Sequence, residues 1–183
     1  MRKLKSLKLR NAVLLVGLSV LTTNAFPCGD KLMIVSRGQR TAVGRNAPHR
    51  GAILLYANPG SSISAAMEGA ELKKGLERAG HRVRTVTARA DLKAAVGSGS
   101  YDLVLADLRA VTEVEGDVKG APSAPTIIPT LYDPSESDLA AAHSELHCVV
   151  NSKGSKSDYL SVVNDALTQR AKAQEAKKAS KKS

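Results

Sequence analysis

YDLVLADLRAV, Tyr101 to Val111, is the stretch whose reading decides the fold. It is apolar without a break from Leu103 to Ala106, and Asp107 stands where the run ends. So short an uninterrupted run predicts a parallel strand covered on both faces, because a strand with one wet face would alternate. Working outward, AILLYA (52–57) and PTIIPTLY (125–132) repeat the pattern. HRVRTVTA (81–88) reads as a strand through Val83 and Val86, and HCVV (147–150) as a short fifth strand.

Helical patterns separate these runs. Pro59-Gly60 breaks the first, and Ser61 or Ser62 is placed to cap the next helix. SISAAMEGAELKKGLERAG (62–80) sets Ile63, Met67, Ala70, Leu72, Leu76 and Ala79 at helical spacing, with Gly80 as its C-cap. RADLKAAVGSG (89–99) is a short helix ended by glycines, and RAVTEVEGDVKGAP (109–122) a poor helix and then loop. DPSESDLAAAHSEL (133–146) has acidic residues at its start, where the helix dipole favours them. In SKSDYLSVVNDALTQRAK (155–172), Leu160, Val163, Ala166 and Leu167 form one apolar face. Strands alternating with helices predict an α/β fold, a doubly wound five-stranded parallel sheet in the flavodoxin-like order 2-1-3-4-5. The domain spans 51–170, behind a Gly/Arg-rich lead-in (26–50) whose one apolar run is Leu32–Val35. With one Phe and no Trp, its core is built from Val, Leu, Ile and Ala.

The amino end carries a different signal. MRKLKSLKLRN holds five basic residues and no acid, and the apolar run Ala12–Leu21 comes next. Thr23 and Ala25 then sit at −3 and −1 of a cut before Phe26. This is the build of a secretory signal peptide over residues 1–25. The apolar run is about half of the roughly 20 residues a membrane-spanning helix needs. Export to the periplasm or beyond is the expected location.

That cut changes the charge argument. The full chain carries 27 basic against 17 acidic residues; losing the five in the signal leaves 22 against 17, a net +5. The tail RAKAQEAKKASKKS (170–183) holds six basic residues and Glu175, so the body between is near neutral. A nucleic-acid interface loses its main support. Residues 171–183 are expected to be a solvated, disordered tail or a frayed helix extension, with at most weak attraction to anionic surfaces. In an exported chain the even count, Cys28 and Cys148, suggests a disulfide.

Residues 51–170 resemble the receiver domain of two-component signalling. YDLVLADLRAV is similar to the receiver's third strand and puts Asp107 at the phosphoacceptor position. APTIIPTLY is similar to the fourth and puts Thr130 at the switch hydroxyl. After Val150, where the family has a lysine and then a proline, Lys153 is the nearest candidate, though Asn151 lies closer to the strand end. The first strand departs from the family. Receivers end it with paired acids that hold Mg²⁺, and here Tyr56 and Ala57 stand there, with neutral Asn58 next. Without carboxylates for a hard cation, charge on a transferring phosphoryl group is not neutralised. Pro129 before the hydroxyl and the lack of Met-Pro after Asp107 are further departures.

The resemblance therefore implies a receiver-like fold with lost phosphorylation chemistry, and Asp107 as a strand-end cap on Arg109 or a loop amide. The first function class is a non-catalytic module binding an envelope protein partner, with Asn58, Asp107, Thr130 and Tyr132 at one edge of the sheet. The second is a small-ligand binder resembling one lobe of the periplasmic binding proteins, and the third an active phosphoacceptor. No cofactor or metal is called for. His143 and His147 have i,i+4 spacing, but at a predicted helix–strand junction. ANPGSSIS (57–64) lacks GxxxxGK[ST] and GxGxxG, and Tyr56, Tyr132 and Tyr159 are the few aromatic residues a flavin could stack on.

Overall fold

Strand β2 (Ala52–Tyr56) and strand β4 (Leu103–Asp107) are buried at every position, as their unbroken apolar runs predict. They lie side by side at the centre of a five-stranded, all-parallel sheet. The computed structural model describes residues 32–36, 49–145 and 159–180. Beyond β2 lies β3 (Arg82–Val86), and beyond β4 lies β5 (Thr126–Tyr132), with β1 (Met33–Val35) outside it. The order is β1-β5-β4-β2-β3.

The expected order needs correction at one edge. The strands at 82–86, 52–56, 103–107 and 126–132 are neighbours in the predicted sequence, but the place after β5 belongs to Met33–Val35 from the lead-in. A run of alternating burial with Met33 and Val35 fully inside supplies the apolar contacts that position needs. The predicted strand at 147–150 lies outside the described residues. So do the signal peptide, Cys28, Cys148, Lys153 and His147.

Helices cover both faces. On one lie α1 (Ser62–Gly69), α2 (Leu72–Arg78) and α6 (Tyr159–Ser180). Their Ile63, Leu72, Leu76, Tyr159 and Val163 meet Ile53, Leu55, Leu103 and Leu105 of the sheet. On the other, α3 (Arg89–Gly97) and α4 (Val111–Val118) bring Leu92, Val96 and Val114 against Leu54, Tyr56 and Val104. There Ala142 of α5 (Glu136–Glu145) packs with Leu108 and Leu131. Among the described residues no helix is long and apolar enough to cross a membrane.

The helix predicted over 62–80 is two helices. Glu71, at φ 49°, takes a left-handed conformation that ends one axis and starts the next, and its carboxylate accepts from Lys74 and Arg78. The break keeps the whole predicted face inward: Ile63, Ala70, Leu72, Leu76 and Ala79 are buried, with Met67 packed on them. Gly69 closes α1 where any Cβ would collide with the Tyr132 hydroxyl. Pro129 stands one residue before β1 begins to pair, at Met33↔Thr130, so the missing N–H interrupts no ladder on that side. Helix α6 continues through the basic tail to Ser180, exposed from Lys172 onward.

The base of the sheet is tied by one side chain. Arg170 of α6 donates through Nε to Asp102 at 3.3 Å and through its other nitrogens to the carbonyls of Ser123 and Ala124. Asp102 in turn accepts the Ala52 amide at 2.9 Å. The guanidinium fork thus fixes α6 to the starts of β2, β4 and β5 at once.

Candidate functional site

The carboxyl ends of the strands form the rim where doubly wound folds place their chemistry, at the point where successive connections leave in opposite directions. That point lies between β2 and β4. The turn Asn58–Ser61 comes after β2, and Asp107 ends β4.

Asp107 belongs to the face that α1 covers, since Leu103 and Leu105 of its strand pack there and Val104 and Ala106 pack on the other. Its residue is 8% exposed. One carboxylate oxygen accepts the amide of Ser62, the first residue of α1, at 2.6 Å. The other accepts the amide of Arg109 at 2.9 Å and so caps the short 3-10 turn Leu108–Ala110. The carboxylate serves two helical starts, one of them 45 residues back in the chain. A negative group is favoured at both, because the first amides of a helix have no internal partner and carry its positive end.

Ser61 completes the α1 terminus: its hydroxyl accepts the Ser64 amide at 3.2 Å. The Ser64 hydroxyl donates to the carbonyls of Ala57 and Asn58. The serines read from ANPGSSIS are therefore engaged in holding the turn. The side-chain oxygen of Asn58 is buried and accepts no hydrogen bond.

Thr130 is the direct neighbour of Asp107 across β4 and β5 and is fully buried. Its hydroxyl donates within its own strand to the Ile128 carbonyl at 3.2 Å. Tyr132, two residues on, is half-buried against the α1–α6 core with its hydroxyl over Gly69. Three of the residues expected to share an edge, Asp107, Thr130 and Tyr132, thus lie on one face, beside the Asn58 turn. They pack there as structural neighbours.

At the first strand end, where a receiver carries acids, Tyr56 points to the opposite face, among Val86, Leu92 and Val114. Burial raises its hydroxyl above the ordinary phenol value, and the negative charges of Glu113 and Asp117 act in the same direction. It stays protonated. Tyr159 is buried in the core of the other face, so Tyr56 and Tyr159 share no stacking surface for a flavin.

Sequence reasoning missed an ion-pair cluster beside Tyr56. Arg89 of α3 binds Asp117 of α4 through two nitrogens, at 2.9 and 3.2 Å, and reaches Glu113 at 3.1 Å. Lys93 adds a contact to Asp117 at 3.3 Å. The hydrogen bond from Arg89 holds the Asp117 carboxyl below its usual range. The 89/93 and 113/117 spacings, each i,i+4, were the available signal. Among the described residues no group of three or more His, Cys, Asp or Glu is placed to hold a metal ion. No protein-family model, curated protein or solved structure matches this chain.

Proposed function

We propose that the chain is an exported, non-catalytic, receiver-like module that binds a protein partner in the cell envelope. The observation that carries the reading is the commitment of Asp107: both carboxylate oxygens are spent on backbone amides, Ser62 at 2.6 Å and Arg109 at 2.9 Å. A phosphoacceptor needs a free oxygen and a cation to offset the charge arriving on it. The neighbouring strand end supplies Tyr56 and Ala57, both buried and neither an acid.

With the chemistry replaced by structure, the rim offers surface. Pro59 and Gly60 of the first turn are exposed, and the Arg109 side chain is 85% exposed above Asp107. Asn58, Asp107, Thr130 and Tyr132 shape this rim from beneath. A turn held by Ser61 and Ser64, and an exposed guanidinium with one contact, 3.6 Å to Asp138, suit recognition of a protein surface, where arginine is enriched.

The test is site-specific photocrosslinking of the full chain expressed in its own cells. Crosslinkers at Pro59 and Arg109 are expected to join one envelope protein, and a crosslinker at exposed Glu115 of α4 is not. Equal labelling from all three positions, or none from the rim, removes the reading.

A further inference from the structure

We propose that the open edge of β3 takes an extended acidic segment of a protein partner as an added strand. Strand β3 pairs with β2 on one side and with no other strand among the described residues on its other side. Its outward backbone amides and carbonyls are therefore available for a further ladder, the arrangement used in strand addition.

The side chains select the occupant. The arginines among the described residues divide into two sets. Arg78, Arg89, Arg109 and Arg170 each pair with a carboxylate. Arg50, Arg82 and Arg84 are exposed and form no ion pair. All three of these lie at β3: Arg82 and Arg84 within the strand, and Arg50 beside Gly80, where a Cβ would sit 3.4 Å from its Nε. Arg82 and Arg84 alternate along the strand and project to the face on which Val86 packs, while Val83 is half-buried on the other.

A partner strand with acids at alternate positions places a carboxylate opposite each arginine. On the inner side of β3 a shallow groove of about 150 Å³ is lined by Arg82, Val83 and Arg84 together with Ala52, Ser100 and Tyr101. A second copy of this chain is a poor occupant. Antiparallel pairing of two β3 strands about Arg84 brings arginine against arginine, and like charges directly opposite are destabilising. Charged side chains on an edge also turn away apolar strands. The acidic segment is what remains complementary in both backbone and charge.

The test does not rest on the rim reading, because it is made without any envelope partner. A labelled peptide of alternating glutamate and valine is titrated with the full chain by fluorescence anisotropy. Three probes accompany it: the lysine–valine counterpart, the glutamate peptide N-methylated on alternate amides, and vesicles of phosphatidylglycerol. The expected result is saturable binding of the glutamate peptide, weakened about tenfold or more in Arg82→Glu/Arg84→Glu and less in Arg50→Glu. The N-methylated peptide, equal in charge but unable to complete the ladder, binds more weakly by a similar factor. Circular dichroism and thermal midpoints of the variants confirm that they fold. Equal binding of the methylated peptide, binding of vesicles alone, or no binding of the glutamate peptide to the folded chain overturns the proposal.

Discussion

Asp107 and Ser62 stand 45 residues apart in the chain and are joined at 2.6 Å, carboxylate to amide, across the boundary between β4 and α1. The contact spans the switch point between β2 and β4. Removing it leaves the amides of Ser62 and Arg109 without their acceptors. Asp107→Ala is expected to destabilise the fold by about 2 kcal/mol, and Asp107→Asn, which keeps one acceptor oxygen, by less. Urea denaturation measures both. No loss in the alanine variant contradicts the capping role.

Gly69 and Tyr132 make a second checkable pair. A Cβ at position 69 collides with the tyrosine hydroxyl and lies 2.7 Å from Cζ, so Gly69→Ala should cost about 1–3 kcal/mol despite alanine's better helix propensity. Combining it with Tyr132→Leu should recover part of that loss. A double-mutant cycle by thermal denaturation reads the coupling, and simple additivity would show that the two sites do not touch.

Arg170 is expected to matter for the whole of α6. Its guanidinium binds Asp102 and the carbonyls of Ser123 and Ala124 from a side chain only 11% exposed. Arg170→Ala should lower stability by about 2 kcal/mol. Arg170→Lys should lose much of the same, because an ammonium cannot reproduce the planar fork. Hydrogen exchange should rise first in α6 and at the amide of Ala52, which shares Asp102. A lysine variant as stable as wild type refutes the role of the fork.

His81 gives the fold a dependence on pH. It is 4% exposed, and its Nδ1 accepts the Gly51 amide at 3.3 Å, so the proton of the neutral ring sits on Nε2. Burial holds the imidazole below its ordinary value of about 6.5. Once unfolded it titrates at that value, so at lower pH the unfolded chain binds a proton that the folded chain refuses. This group's contribution to stability is therefore complete above about pH 6.5 and declines as the pH falls below it. Urea midpoints taken from pH 7.5 down to 5 should fall in wild type, and the part due to His81 should vanish in His81→Gln. An unchanged slope in that variant assigns the effect elsewhere.

How much of this was legible in the sequence depends on the range of the interaction. Strands whose burial comes from both faces, such as Leu103–Asp107, declare themselves as unbroken apolar runs. The inward faces of α1, α2 and α6 are set by local spacing, and their residues are where the pattern put them. Met33–Val35 is only three residues long, and nothing local distinguishes an edge strand of that length from a packed loop; its place depends on β5, nearly a hundred residues later. The break at Glu71 escaped for a related reason. Helical periodicity runs through it, and a single left-handed residue between two helices leaves the spacing of the apolar positions unchanged. At the rim, the motif pointed to Asp107 and allowed it a capping role, and Arg109 was a local guess two residues away. Ser62, the stronger partner, was named only as a cap for its own helix, because a bond between distant strand ends leaves no local trace.

On the proposed reading Asp107 is structural, and its carboxylate does not accept a phosphoryl group. The most direct test incubates the full chain, folded, with acetyl phosphate and Mg²⁺ and weighs the intact protein before and after. An unchanged mass is expected, with no Mg²⁺-dependent change in tyrosine fluorescence. A Mg²⁺-dependent phosphoryl adduct that disappears in Asp107→Asn would contradict it, and would mean that the hydrogen bonds to Ser62 and Arg109 open to admit the chemistry they otherwise close off.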